Sequence, residues 1–267
     1  MIDFLKSKLG QSVIAELRHH MLREYLQELI LSLIDKSKEG VSLAFVGGTA
    51  LRILYDLPRF SEDLDFCLVK SDKFGFSDLL QFLKRELTLR GFNVVLTKKE
   101  AGTVKNSYIK FQDLLFPLGL TSQKNQVLSI KLEIDTSPPS GYGLQQSVIN
   151  KSFLISLQHY DKPSLFAGKC HALLCRKYAK GRDYFDLLWF IGNKITPNYT
   201  LLENAYYQTE NKQIKFDFKE VARALKETVS QADFAKIKSD ISPFLLDHDQ
   251  IKLFNRDYFL DVIEGWD

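Results

Sequence analysis

The hydrophobic period of the chain changes near residue 160, and no other feature limits its fold as strongly. Ahead of that point apolar residues come in short runs or at every second position, the period of a β-strand. Beyond Asp161-Lys162-Pro163 they recur at three- and four-residue spacing, the period of a helix. Strands gathered in one stretch and helices in the other predict an α+β chain. Its expected parts are a mixed β-sheet flanked by helices over residues 1–160 and a helical bundle over residues 161–267. Asp161 is expected to cap the first helix of the bundle, with Pro163 in its first turn.

Residues 11–38 read as one long amphipathic helix on Ile14, Leu17, Met21, Tyr25, Leu29 and Leu33, stopped by Gly40. Leu43–Val46 is a short strand running into Gly47-Gly48, and a helix over Thr49–Tyr55 follows. Leu64, Phe66 and Leu68 then alternate with Asp63, Asp65 and Cys67 as in a strand. A helix over Ser77–Arg90 and strands over Asn93–Thr97, Ser107–Phe111 and Val127–Asp135 lead to a Pro- and Gly-rich turn over Ser137–Gly143. The second part is expected to hold helices at Leu165–Ala179, Tyr184–Ile191, Leu201–Gln208, Phe218–Val229 and Ile251–Ile263.

Composition narrows the class. With 45% apolar and 26% charged residues the chain is an ordinary globular one, which excludes disordered, collagen-like and coiled-coil classes. Three cysteines without a CxxC pair argue against a disulfide framework or a zinc site and for a reducing cytoplasm. The first residues lack the pattern of a secretory signal, and no apolar run nears the roughly 20 residues of a membrane span.

The chemistry gathers around Gly47-Gly48-Thr49 and Asp63-Leu64-Asp65. Two glycines ahead of a helix let a phosphate approach the backbone, and the free N–H groups of the helix start favour an anion. Asp63 and Asp65, two apart on a strand, project to the same side about 7 Å apart. Such a carboxylate pair suits a hard divalent ion that also binds substrate phosphates, and the combination points to nucleotidyl transfer. Either piece alone reads more readily as a plain turn or a solvated strand face, and their combination one short helix apart reverses that. Lys131, Glu133 and Asp135 share one face of a later strand, so Glu133 in the first place, or Asp135, can supply a third carboxylate or a general base. Charge balance between Lys131 and Glu133 on a solvated face is the alternative.

These blocks carry a resemblance. Gly47-Gly48-Thr49-Ala50-Leu51 and Arg59-Phe60-Ser61-Glu62-Asp63-Leu64-Asp65-Phe66 resemble the AbiEii nucleotidyltransferase toxins, a branch of the DNA polymerase β-like nucleotidyltransferase superfamily. Leu165–Lys169, Arg176 and Arg182-Asp183-Tyr184-Phe185-Asp186-Leu187 resemble that family's lysine and Arg-Asp-x-x-Asp motif, so the likeness spans residues 40–190. It implies a nucleotidyltransferase domain over 1–160. Gly47, Gly48, Thr49 and Ser61 would meet an NTP, Asp63, Asp65 and Glu133 would bind Mg²⁺ or Mn²⁺, Lys169 would reach the phosphates, and Asp183 would orient it or complete the site. The implied activity is an EC 2.7.7-type transfer of a nucleoside monophosphate to RNA, with tRNA as acceptor. The implied role is the toxin of a type IV toxin–antitoxin or abortive-infection system, with an antitoxin encoded nearby and no membrane partner. Modification of a protein hydroxyl, or a silent nucleotide- or RNA-binding module, are the competing readings.

The second block also reads physically. Lys169 and Arg176 lie seven residues apart, two helical turns on one face, and no acid occurs between Asp161 and Asp183. With Lys177, Lys180 and Arg182 they are expected to form a positive surface for a triphosphate or an RNA backbone. The i, i+3 spacing of Asp183 and Asp186 lets one cap a helix while the other turns inward. The formal net charge of +3 hides an asymmetry, since residues 240–267 carry seven acids against Lys252 and Arg256.

Overall fold

The computed structural model describes residues 1–10, 15–70 and 74–266. In chain order, helices α1 (Ile2–Leu9) and α2 (Ala15–Lys36) lead into strand β1 (Leu43–Val46), α3 (Gly47–Tyr55), β2 (Leu64–Leu68) and α4 (Phe76–Leu89). Strands β3 (Asn93–Leu96), β4 (Val104–Gln112), β5 (Leu128–Asp135), β6 (Leu144–Asn150) and β7 (Leu154–Tyr160) follow. Helices α5 (Lys162–Cys175), α6 (Gly181–Gly192), α7 (Tyr199–Glu210), α8 (Phe218–Gln231), α9 (Phe234–Ile241) and α10 (Arg256–Glu264) complete the described chain. The chain forms two compact units. The first is Met1–Ala50, Ser61–Ser137 and Gln146–His159, and the second is Leu51–Phe60, Pro138–Gln145 and Tyr160–Asp267.

The strands form one mixed sheet in the order β3-β4-β5-β2-β1-β7-β6. β1 runs antiparallel to β2 and parallel to β7, while β2 runs parallel to β5. Alternation does what the sequence asks of it. Leu64 and Phe66 of β2 and Ile130, Leu132 and Ile134 of β5 are buried, whereas Asp65, Lys131 and Glu133 keep partial exposure. The apolar stripe of α2, from Leu22 and Leu26 to Leu33 and Ile34, is buried, as are Leu79, Leu83 and Leu87 of α4, which packs against it.

The second unit is helical. α5 packs on α6, α7 and α8, and α10 packs on α6 and α8. Phe166 stacks on Phe190 with ring centroids 4.4 Å apart, and Tyr184, Phe234 and Phe259 pack edge to face or tilted. The side chains of Asp161, Asn198, Asp217, Asp233 and Asn255 accept backbone N–H groups at five helix starts. The cap at Asp161 and Pro163 in the first turn are both as expected. Among the described residues no helix is long and apolar enough to cross a membrane.

Several boundaries depart from the sequence pattern. The helix read over 11–38 is realised as α2 from Ala15, and Ile14 lies outside the described residues. The helix expected over 165–179 stops at Cys175, because Arg176 is extended at its C-cap (φ −75°, ψ 135°). The chain then turns back so that Gly181 opens α6. A side chain at Gly181 would overlap the Ile237 carbonyl, and its N–H donates to Asp240 Oδ2 at 2.7 Å. The pattern over 251–263 is split, since Asn255 caps α10 after a 3₁₀ turn over His248–Leu253. Four elements, α1, β6, β7 and α9, were not legible beforehand. β6 ends the sheet with Val148 68% exposed, so its apolar residues do not form a one-faced pattern.

Candidate active site

In the first unit the site begins where β1 turns into α3. Gly47 has φ +80°, a left-handed conformation that side chains resist, and a Cβ there would overlap the Asp65 carboxylate. Glycine is therefore required twice over, by the backbone and by the carboxylate that fills the space. Thr49 is fully buried, its hydroxyl donating to the Asp63 carbonyl and sharing a 2.9 Å hydrogen bond with Ser61 Oγ. Its side chain ties α3 to the approach of β2.

Two further ties come from α2, and the sequence did not reveal them. Buried Gln27 donates to the Ser61 carbonyl at 3.2 Å, and Arg23 Nη1 donates to Glu62 Oε1 at 2.7 Å. The segment Ser61–Asp63 is thus held from α2 and from α3. Their sequence signal was a Gln and an Arg at i, i+4 on a helix, a spacing too common to stand out.

Parallel pairing sets Asp65 of β2 beside Glu133 of β5, and Cys67 beside Asp135. Register therefore favours Glu133 over Asp135 as the acid next to the carboxylate pair. Asp135 accepts the Ser137 N–H at 2.9 Å, and burial raises its carboxyl above the usual range despite that bond. Lys131 forms an ion pair with Glu133. Burial by itself would lower the Lys131 ammonium, but the bond to Glu133 and the charges of Glu133 and Asp63 outweigh it and leave the group raised.

The donor set bears on metal binding. Among the described residues no three His, Cys, Asp or Glu side chains are grouped to hold an ion. Glu133 is engaged by Lys131. Asp65 on β2 and Asp63 immediately ahead of that strand offer two carboxylates, a donor chemistry that suits a substrate-borne Mg²⁺ shared with phosphates and water rather than a closed protein cage.

In the second unit Lys169 of α5 meets both acids of α6. Lys169 Nζ lies 2.9 Å from Asp183 Oδ1 and 2.7 Å from Asp186 Oδ2. Arg176 also pairs with Asp183, and Arg59 clasps Asp186 through Nε and Nη2, each at 2.7 Å. Asp183 and Asp186 are buried, so neither caps α6, and both turn inward. Burial would lift the Asp183 carboxyl, but the charges of Lys169, Arg176 and Arg59 together hold it low. Burial likewise works against the Lys169 ammonium, and Asp183 and Asp186 reverse the effect and raise it.

The expected positive surface is corrected in three respects. Lys169 is largely buried in this network, Arg176 follows α5 rather than lying on it, and Arg182 sits 4.5 Å over the Phe244 ring. The exposed cations are Arg176, Lys177 and Lys180, in the loop between α5 and α6. Arg59 is the participant missed in the sequence. Its signal was Asp186 on an apolar helix face beside Leu187 and Phe190, a place where a carboxylate demands a cation.

The mixed sheet, with Asp65 of β2 set against Gly47 at the head of α3, has the architecture of a nucleotidyltransferase. Two solved structures share this fold. The Helicobacter pylori protein JHP933 is 20% identical with TM-score 0.52 over 92% of this chain and 93% of its own. Another H. pylori structure, of a protein assigned as a nucleotidyltransferase, is 20% identical with TM-score 0.53 over 91% and 90%. No curated protein matches the chain. Residues 29–259 match the family described as "Nucleotidyl transferase AbiEii toxin, Type IV TA system". The chain belongs to this AbiEii nucleotidyltransferase toxin family.

Proposed function

We propose that the chain transfers a nucleoside monophosphate from an NTP to an RNA hydroxyl, with tRNA as the acceptor. In this reading it is the toxin of a type IV pair, acting in the cytoplasm and restrained by an antitoxin. The observation that carries the reading is the pairing of Gly47 with Asp65 at the head of α3, with Glu133 in register beside it. Gly47, Gly48 and Ser61 line the approach of the triphosphate. Asp63 and Asp65 would hold Mg²⁺, which when bound neutralises the departing pyrophosphate. Lys169, kept cationic by Asp183 and Asp186, attracts the phosphates. The acceptor oxygen forms a bond to the α-phosphorus as the bond to pyrophosphate breaks. Its proton passes to a carboxylate, for which Glu133 is the assignment.

The test is incubation of the protein with α-³²P-labelled NTPs and total RNA. Label should enter RNA and be lost in Asp63→Ala and Asp65→Ala. Transfer that survives both substitutions overturns the assignment. Label entering protein redirects the acceptor, and γ-label entering any acceptor identifies phosphorylation.

A further inference from the structure

Arg59 is 1% exposed and is among the largest fully buried side chains. Its Nε and Nη2 hold the two oxygens of Asp186, and its Nη1 donates to the Phe60 carbonyl at 2.8 Å. The backbone on which it stands is also anchored. Arg59 pairs with Leu245 in an isolated antiparallel bridge, and the Phe60 N–H donates to the Phe244 carbonyl at 2.8 Å. Asp186 Oδ2 is the shared atom, since it accepts from both Arg59 and Lys169.

We propose that Arg59 is a positioning residue for Lys169, fixing the Asp186 carboxylate by a two-point grip so that Oδ2 aims the lysine ammonium. The planar guanidinium can hold both oxygens at once, and an ammonium holds one point. Without that grip Asp186 can rotate, and Lys169 is left to Asp183, which Arg176 also holds. The catalytic meaning of this arrangement rests on the nucleotidyl-transfer reading, whereas the coupling of Arg59 to Lys169 does not.

The experiment uses the full chain with Arg59→Met and Arg59→Lys. It reads two quantities: the pH midpoint for acetylation of Lys169, followed by peptide mass spectrometry, and the KM and kcat for NTP. Lys169 faces Asp183 and Asp186 of α6 and the Arg59 guanidinium. Removing the cation in Arg59→Met should move the midpoint upward and raise KM about tenfold. Arg59→Lys keeps the charge and loses the fork, so the midpoint should return toward the parent while KM stays raised. A folded Arg59→Met with the parent's midpoint and KM overturns the proposal. If Arg59→Met does not fold, Arg59→Lys decides, and a parent-like KM overturns it. The midpoint needs no turnover. An upward shift in a chain that transfers no nucleotide refutes the transfer reading and leaves the coupling standing.

Discussion

Gly47 and Asp65 occupy each other's space: the carboxylate of Asp65 fills the volume that any side chain at position 47 would take. Gly47→Ala meets both this overlap and the φ of +80°. It should cost about 1–3 kcal/mol and abolish label transfer by displacing Asp65. Urea unfolding measures the first effect and the radiolabel assay the second. A stable, fully active Gly47→Ala would show that the carboxylate's position is immaterial.

The tie from α2 to the acidic segment predicts a remote effect. Gln27→Ala removes the donor to the half-buried Ser61 carbonyl and should cost about 1–2 kcal/mol. Because the same segment carries Asp63, kcat should also fall, while Gln27→Glu restores neither. Thermal unfolding alongside steady-state kinetics separates the two effects.

Asp186 balances Arg59 and Lys169 in a nearly dry site. Asp186→Leu strands the Arg59 guanidinium and leaves Lys169 to Asp183 alone, and should destabilise the chain by about 3–5 kcal/mol. Lys177→Ala, on the exposed loop, should stay within about 0.5 kcal/mol. Equal unfolding midpoints for the two variants would contradict the network.

Acid stability follows from Asp183. Its carboxyl is held below the ordinary 3.8 once the charges of Lys169, Arg176 and Arg59 overcome the opposing effect of burial. The folded chain therefore binds fewer protons there than the unfolded chain. The stabilisation is present above 3.8 and drains away as pH falls through the depressed value. The Lys169 ammonium has the opposite sense: raised above 10.5, it stabilises below that value and loses its contribution as pH climbs through the raised one. Urea titrations across the acid range should show a steeper loss in the parent than in Asp183→Asn.

The exposed loop makes the RNA reading quantitative. Lys177→Ala with Lys180→Ala should weaken RNA binding and flatten the slope of log affinity against log salt by roughly one to two. Filter binding at several salt concentrations measures it. An unchanged slope moves the acceptor contact elsewhere on the chain.

Local pattern carried much of the fold. Leu64 and Phe66, or Ile130, Leu132 and Ile134, are buried because a strand's period of two separates them from the acids between. The two motif blocks pointed to the family for a related reason, since each is short enough to be read as one turn, strand or helix. Legibility fails where an element lacks a one-faced pattern, as in β6, or is too brief to show one, as in α9 with its 8 residues.

The sequence by itself determined that this is an α+β chain bearing a glycine turn, an Asp-x-Asp segment leading into a strand and a lysine followed by two acids. Each of these is a statement about neighbours along the backbone. Only the tertiary structure decided the partners: Arg59 for Asp186 across 127 positions, Gln27 for Ser61 across 34, and Glu133 rather than Asp135 beside Asp65. The physical reason is that a buried charge must find its counter-charge wherever packing brings one. A strand's own alternation cannot state which residue its neighbour sets beside it.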